Sequence, residues 1–353
     1  MPYCRKCGTE LDPNSKFCHD CGTEVAPAPT TPTPYQAQSK KTKFPIAGVI
    51  LIAILAFAAI IVAISIFPTN PVSFSQTDVA SSPNVNSLNM TIIADVARAN
   101  VMFKELPGNQ RATTNTTATG SQGIFSSDQP ISLSFKEETT DQTLTYTVEI
   151  RKTDQWNLFS NMQVTCDLVI DPTAELNLTI RTTTGEILFN SDQTVKIQSL
   201  NLRNTAGTID ATVTEKTTIA KSVQIETTAG SAHLHWNEPN VTGNIPVNLR
   251  ATAGSVTATI AQEKQLSGNV TLKAETTTGE VDLALDIRGG VGAKIETESG
   301  AFSTVDIDQT GFSSNNAPLN SNNYPAESNF LITLKATTGR IHIDANYDPG
   351  INN

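Results

Sequence analysis

The chain has 353 residues, of which 16% are charged and 6% aromatic, and its formal net charge is −10. Residues 1–24 carry −1 and residues 25–44 carry +3, which leaves −12 for the rest. Because so acidic a body repels nucleic acid and anionic lipid, nucleic-acid binding by the large domain is disfavoured. Abundant Thr, Ser and Asn favour strands with polar turns over long helices.

The first 24 residues contain two C-x-x-C pairs with ten residues between them. Two short loops that each offer two thiolates match tetrahedral Zn²⁺. Gly8 and Gly22 follow the second cysteine of each pair, where a tight turn needs a residue without Cβ strain. Because so short a segment cannot build a core, the metal must supply most of its folding free energy, on the order of 10 kcal/mol. We therefore predict one structural zinc ion, held by Cys4, Cys7, Cys18 and Cys21.

Disulfides and a redox pair are the alternatives for these cysteines. A reducing cytosol disfavours disulfides, and the thioredoxin-like surroundings of a redox C-x-x-C are missing from the sequence. His19 lies between the cysteines of the second pair. We expect it to be a spectator, because four thiolates already complete the zinc shell.

With these cysteines and glycines, the segment resembles the short zinc-ribbon domains found at the N-termini of many prokaryotic membrane proteins. The resemblance implies a closed, structural metal site at the four cysteines and a role in binding protein or nucleic acid. With the negative charge of the segment and of a zinc tetrathiolate, nucleic acid is the poorer candidate. A cytoplasmic protein is therefore the expected partner of the ribbon.

A single membrane span is predicted after a Pro- and Thr-rich basic linker at 25–44. The 22 residues from Ile46 to Phe67 carry no charge, and at about 1.5 Å per residue such a helix crosses a lipid core of about 30 Å. A buried core helix and a cleaved signal peptide are the alternatives, but the run lacks a polar face and is long for a signal peptide. We predict a transmembrane helix at 45–67 in contact with membrane lipid. Because lysines precede it and the next basic residue is Arg98, the N-terminus is predicted in the cytoplasm and the C-terminal domain outside the cell.

The exterior is predicted to consist of a linker at 68–87, a β-rich cap or flanking sheet at 88–175, and a repeat domain at 176–348. The repeat is marked by T-x-G turns at spacings of 22, 23, 24, 25, 21 and 39 residues, with the longest spacing containing an Asn-, Ser- and Pro-rich loop at 310–329. A fixed period of this size is typical of stacked units. The threonine is present in six of the seven copies, and Glu298 replaces it in the sixth. The glycines are Gly185, Gly207, Gly230, Gly254, Gly279, Gly300 and Gly339.

Each copy contains two half-buried strands, because apolar side chains fill positions −7, −5, +2 and +4 from the glycine and polar ones lie between. The interval from −3 to +2 is odd, so the chain must turn a corner at the glycine to keep both apolar sets inward. His233 and His235 occupy +3 and +5, on the outward face. We expect surface histidines there rather than a metal site. Cys166 shares one strand face with Val164 and Leu168 and is predicted to be buried.

This pattern resembles the prokaryotic "putative adhesin" repeat domain, a toast-rack-like β-solenoid, over roughly residues 176–346. The resemblance implies a stacked β architecture without known catalytic residues, and some relatives take part in envelope stress sensing. The sequence also lacks a nucleophile–His–acid motif, a phosphate-binding glycine loop and H-E-x-x-H. The predicted fold is thus mainly β: a zinc ribbon, one transmembrane helix and an extracellular β-solenoid.

Two functions agree with this organisation in a prokaryote, and the acidic, Thr- and Asn-rich exterior favours an archaeon. The first is a non-enzymatic, membrane-anchored surface scaffold or adhesin that binds an unidentified extracellular partner through its polar face and the 310–329 loop. The alternative is a single-pass envelope sensor, in which the solenoid receives a signal and the ribbon docks a cytoplasmic protein.

Overall fold

The computed structural model divides the chain into two compact units, residues 1–63 and 64–353. The predicted basic linker at 25–44 and the predicted transmembrane helix at 45–67 lie outside the residues that the structure describes. Among the described residues, no helix is both long and apolar enough to cross a membrane. The described residues are 3–12, 15–24, 69–123, 129, 131–153, 161–314 and 316–350.

The second unit is built from strands, which confirms the predicted mainly β class. Its strands are β1 Thr69–Ser81, β2 Ser87–Phe103, β3 Gln110–Gly123, β4 Ile131–Thr140, β5 Thr143–Lys152, β6 Asn161–Ile170, β7 Glu175–Ser191, β8 Val195–Val213, β9 Thr217–Asn237, β10 Asn240–Val241, β11 Ile245–Gln262, β12 Val270–Arg288, β13 Val291–Thr310, β14 Leu319–Asn320 and β15 Ser328–Asp348.

The long strands stack in parallel in the order β2-β7-β8-β9-β11-β12-β15-β13. Strand β7 ends at Ser191, and its parallel neighbour β8 begins at Val195. Parallel neighbours normally need a connection of a dozen or more residues. Because only three residues connect these two, each strand must itself lead the chain back to the end of the stack edge at which the next strand begins. Each long strand is therefore one coil of a stack, with one limb before the glycine and one after it.

The corner between the limbs requires glycine for two reasons. Gly254 has a φ of 136°, a conformation that residues with a side chain rarely adopt. A Cβ atom on Gly254 would also lie 1.8 Å from the carbonyl oxygen of Gly230 in the neighbouring coil. The same conformation and the same close approach recur at Gly185, Gly207, Gly230, Gly279 and Gly339.

The core lies between the two limbs of the coils. In β11, Leu249 before the corner and Val256 after it are both buried, although an odd number of positions separates them. Side chains from opposite limbs meet across this core: the rings of Trp236 and Phe330 pack edge to face with centroids 6.0 Å apart. The predicted alternation and the predicted corner are thus both present.

The last two coils depart from the predicted order. Strand β15, which contains Gly339, lies between β12 and β13, and Gly339 pairs with Gly279. Gly300 of β13 was predicted to be a corner glycine, but the register shifts there and Ser303 faces Gly339 instead. Strand β15 buries apolar side chains on both limbs, as suits a coil covered on both sides, whereas the second limb of β13 is mostly exposed at the end of the stack.

The other end of the stack begins earlier than the sequence indicated. Strand β2, predicted as part of a cap, pairs with β7 in the repeat register, with Ala97 opposite Gly185. The predicted linker at 68–87 is also wrong in its first part, because β1 pairs antiparallel with β3 along its length. Val72 and Phe74 pack against the core, and Pro71 is tolerated because β1 is an edge strand.

The predicted loop at 310–329 is largely packed against the stack. Leu319 is fully buried, Phe312 is 7% exposed, and β14 pairs with the first limb of β13. The Ser321 hydroxyl accepts a hydrogen bond from the Ala293 amide at 2.9 Å. This segment carries the chain across β13 and covers the first limb of that end coil.

Candidate metal centre and the outer face of the repeat domain

The four predicted zinc ligands come together in the N-terminal unit. Their Sγ atoms all lie within 4.8 Å of one another. The Sγ atoms of Cys4 and Cys21 are 3.6 Å apart, and those of Cys7 and Cys18 are also 3.6 Å apart. A tetrahedral ion with Zn–S bonds of about 2.3 Å needs sulfur atoms about 3.8 Å apart, so the donor set fits zinc.

Two equivalent turns hold these thiols. The amide of Gly8 donates to the carbonyl of Cys4, and the amide of Gly22 donates to the carbonyl of Cys18, each at 2.9 Å. Both glycines have positive φ, 75° and 63° respectively. Glycine thus allows each C-x-x-C segment to turn tightly enough to aim both thiols at one point, as the sequence predicted.

The surroundings of Cys21 favour its thiolate, which is the form that binds a metal. A hydrogen bond with the Thr23 hydroxyl, 3.2 Å from its sulfur, is the main cause that lowers the pKa of Cys21 to about 6. His19 is outside the group of four, with its ring 3.7 Å from Asp20 and largely exposed. It is a spectator in this geometry, as predicted.

A family model described as a zinc-ribbon domain matches residues 3–25. Its span contains all four thiols and both turns. The N-terminal segment is a zinc ribbon. Its four cysteines are positioned to bind one structural zinc ion. That ion would close the thiolate shell and leave no open coordination position, which is the arrangement of a structural rather than a catalytic site.

The whole chain resembles known proteins less closely than the ribbon resembles its family. None of the proteins of curated function matches it. A "putative cell adhesion protein" from Clostridium sporogenes has a TM-score of 0.36 at 12% identity, covering 77% of this chain and 99% of its own. A "putative adhesin" from Bacteroides fragilis has a TM-score of 0.26 at 12% identity, covering 77% and 97%. One from Parabacteroides distasonis has a TM-score of 0.25 at 10% identity, covering 76% and 97%.

These identities and TM-scores do not assign a function to this chain. The three proteins are bacterial, and the expectation of an archaeal source stays a prediction.

Outward side chains of successive coils align in columns, because the coils stack in register. Position +3 forms one column on the second limb. Burial, and then repulsion from Glu280, raises the pKa of Asp282 in this column. Sequence parity predicted the outward direction of these side chains, but not which of them become neighbours. The column contains Leu188, Asp210, His233, Thr257, Asp282, His342 and Asp306.

Two of the three histidines of this unit contact carboxylates on neighbouring coils. His235 lies 3.7 Å from Asp210, and His342 lies 3.7 Å from Asp306. Within the described residues, the only group of three or more potential metal ligands is the cysteine group of the ribbon. His233 is half-buried and His235 is exposed, so their interpretation as surface residues agrees with the structure.

Cys166 is fully buried on the same strand face as Val164 and Leu168. Burial raises the pKa of its thiol to about 12. The thiolate, which is the reactive form, is therefore scarce at neutral pH. Cys166 is a small core side chain, as its strand pattern predicted.

Proposed function

We propose that this chain is a non-enzymatic, membrane-anchored protein of the prokaryotic cell surface whose repeat domain binds an extracellular partner. The observation that carries the proposal is the regular outer face, where polar side chains repeat in a column from Asp210 to Asp306 over five coil steps, about 24 Å. The uncharged segment at 45–67 and the lysines before it support a single span with the ribbon in the cytoplasm.

The binding surface is the side of the stack rather than the 310–329 loop. Phe312 and Leu319 of that loop are buried, so deleting it would damage the end coil as well as any contact. Columns on the two limbs can be changed separately without touching the core. One column contains Asp210, His233 and Asp282, and the other contains Gln224, Asn248 and Lys273.

Protease treatment of intact cells, followed by antibodies to each unit, tests the topology. We expect loss of the repeat domain and protection of the ribbon. The opposite result would place the repeat domain inside the cell and remove the proposed function.

Adhesion of beads that carry the full chain in nanodiscs tests the binding surface. Serine replacement of both three-residue columns is expected to reduce adhesion to cells or matrix, and replacement of each column alone shows which limb makes the contact. Unchanged adhesion with both columns replaced would contradict a binding role for this face.

A sensor is the second candidate, because the ribbon presents two exposed aromatic side chains at equivalent positions. Tyr3 and Phe17 are 63% and 57% exposed, and each immediately precedes the first cysteine of its pair. Exposed aromatic residues are enriched in protein interfaces. If the ribbon docks a cytoplasmic protein, Tyr3→Ser with Phe17→Ser should abolish a cellular response while zinc content stays unchanged. A response unaffected by this variant and by Cys4→Ser would exclude the sensor.

A further inference from the structure

A groove runs along the stack just before the glycine corners. It has a volume of about 480 Å³ and is lined by residues of five successive coils, β2, β7, β8, β9 and β11. Four coil steps of about 4.8 Å make it about 19 Å long. Such a groove suits an extended ligand that lies along the axis of the stack.

Three arginines line this groove, although the domain is acidic. Arg181, Arg203 and Arg250 all occupy position −4, and Glu226 is the one acidic lining residue, so the lining carries +2. Arg203 makes an ion pair with Glu226 at 3.4 Å. Among the described residues, the guanidinium groups of Arg181 and Arg250 have neither an ion pair nor a hydrogen bond.

The register places two of these cations side by side. Arg181 pairs directly with Arg203 across β7 and β8. Like charges directly opposite each other destabilise a sheet. Local features that cost stability without a structural benefit are typical of functional sites, and an anion between the two guanidinium groups would remove the repulsion.

Threonine hydroxyls form a second column along the groove. Thr183, Thr205, Thr228 and Thr252 occupy position −2, are exposed, and supply hydrogen-bond donors and acceptors beside the arginines. Thr182, Asn204 and Thr227 at position −3 are each at most 5% exposed and share the buried strand face, so their polar atoms do not reach a ligand in the groove.

The chemistry of the lining selects among extended anions. The planar guanidinium group of arginine binds carboxylate and sulfate groups through two parallel hydrogen bonds, and exposed hydroxyl groups suit ligands rich in hydroxyls. A peptide gains affinity by pairing with a free strand edge, but β7, β8, β9 and β11 have a neighbour on both sides. Single-stranded nucleic acid needs aromatic platforms, and the lining residues include none.

We infer that the groove bounded by Arg181, Arg203 and Arg250 binds an anionic glycan, whose carboxylate or sulfate groups contact the arginines. The inference rests on the proposed function, since it names the class of extracellular partner. The glycan lies across successive coils, with its anionic groups at the arginine column and its hydroxyls at the threonine column.

Isothermal titration calorimetry of the full chain in nanodiscs tests this inference. The carboxylate probe is an oligomer of galacturonic acid, and the sulfate probe is dextran sulfate. Neutral dextran and polyglutamate are the controls for sugar without charge and for charge without sugar. We expect binding of at least one anionic glycan that weakens as salt increases, and weaker or no binding of both controls.

The variant Arg181→Gln/Arg203→Gln/Arg250→Gln should weaken glycan binding by at least about tenfold, since a hydrogen bond to a charged group contributes about 1.5–3 kcal/mol. Lys196→Gln/Lys216→Gln/Lys221→Gln removes the same charge from exposed sites outside the groove and should keep the affinity. Arg203→Lys keeps the charge but removes the planar guanidinium group, so it should weaken glycan binding by a smaller factor than the triple arginine variant.

Equal weakening by both triple variants would overturn the inference, because it would show attraction to net charge alone. Absence of binding to both anionic glycans would also overturn it. Tighter binding of polyglutamate would show that the groove takes an acidic peptide instead. If beads carrying the arginine variant adhere normally while the column variants do not, this inference fails and the proposed function survives.

Discussion

The ribbon and the repeat domain stabilise β structure in opposite ways. The described part of the ribbon buries Cys4, Leu11 and Cys18 and has four thiols aimed at one point. The repeat domain buries one continuous cluster of apolar side chains that runs from β1 to β15. The first must gain its stability from a metal ion and the second from area removed from water.

Both units depend on glycines with positive φ, but for different reasons. At Gly22 of the ribbon, a Cβ atom would meet nothing within 4 Å. At Gly254 it would collide with the backbone of the neighbouring coil. A turn that stands alone therefore needs only the conformational freedom of glycine, whereas a corner repeated in a stack also needs its missing side chain.

Metal removal should produce the largest difference in stability between the two units. A strong chelator, or Cys18→Ser, is expected to unfold the ribbon completely, because structural zinc supplies on the order of 10 kcal/mol to so small a domain. The repeat domain should keep its far-ultraviolet circular dichroism spectrum and its Tm. Amide resonances of residues 3–24 in NMR spectra report the first change.

The matched control is His19→Ser, which should leave both the zinc content and the ribbon resonances unchanged. Persistence of the folded ribbon after chelation would show that its few buried side chains suffice without metal.

Gly254→Ala should be the most damaging substitution in the repeat domain. The new Cβ atom would lie 1.8 Å from the Gly230 oxygen, at a φ of 136°. Both the collision and the strained backbone must be relieved, so we expect a loss of more than about 4 kcal/mol, measured by denaturant unfolding.

Gly289→Ala is the control for this loss. Gly289 has a φ of 59°, but a Cβ atom there would meet nothing within 4 Å. Gly289→Ala should lower the free energy of unfolding by only about 1–2 kcal/mol. Equal effects of the two substitutions would mean that neighbouring coils can separate locally, and would contradict the close-approach explanation.

Trp236→Ala tests the contribution of the core. Trp236 is 2% exposed, packs against Phe330 and donates a hydrogen bond to the Gln262 side chain at 3.0 Å. Its removal should cost about 3–5 kcal/mol in urea unfolding. Phe302→Ala, at a side chain that is 82% exposed, should change stability by less than about 0.5 kcal/mol. A comparable loss at Phe302 would indicate that the end coil is covered in solution.

Local patterns in the sequence predicted the features that depend on local chemistry. The C-x-x-C pairs predicted the zinc ligands, and the period-two alternation predicted which side chains of β7 to β12 point inward. The odd interval at the glycine predicted the corner. Each of these follows from the geometry of a few consecutive residues, so no knowledge of distant contacts was needed.

Features that depend on distant pairing could not be predicted in the same way. Gly300 fits the repeat spacing although Glu298 replaces the threonine of the T-x-G pattern, and its neighbours in space are set by the exchange of β13 and β15. Strand β2 was predicted as part of the cap and not as a coil of the stack, because Ala97 replaces the glycine and does not adopt the positive φ of the other corners. The arginine groove arises only when coils about 22 residues apart align in register, although their common −4 position was visible in the repeat.

The smallest effect is expected at Asp282 on the outer face. Its pKa is raised because partial burial, and then the nearby Glu280, disfavour its charge. The folded state therefore holds this proton more tightly than the unfolded state, and stability falls as pH rises between the unfolded pKa and the raised folded one.

Asp282→Asn removes this penalty, so it should raise the Tm by at most a few degrees at pH 7 and have less effect at pH 3. Asp344→Asn on β15, at an exposed outward carboxylate, is the matched control. Thermal melts of both variants at the two pH values measure the difference, and a lower Tm for Asp282→Asn at pH 7 would show that the charge of Asp282 stabilises the stack through its neighbours His233 and His342.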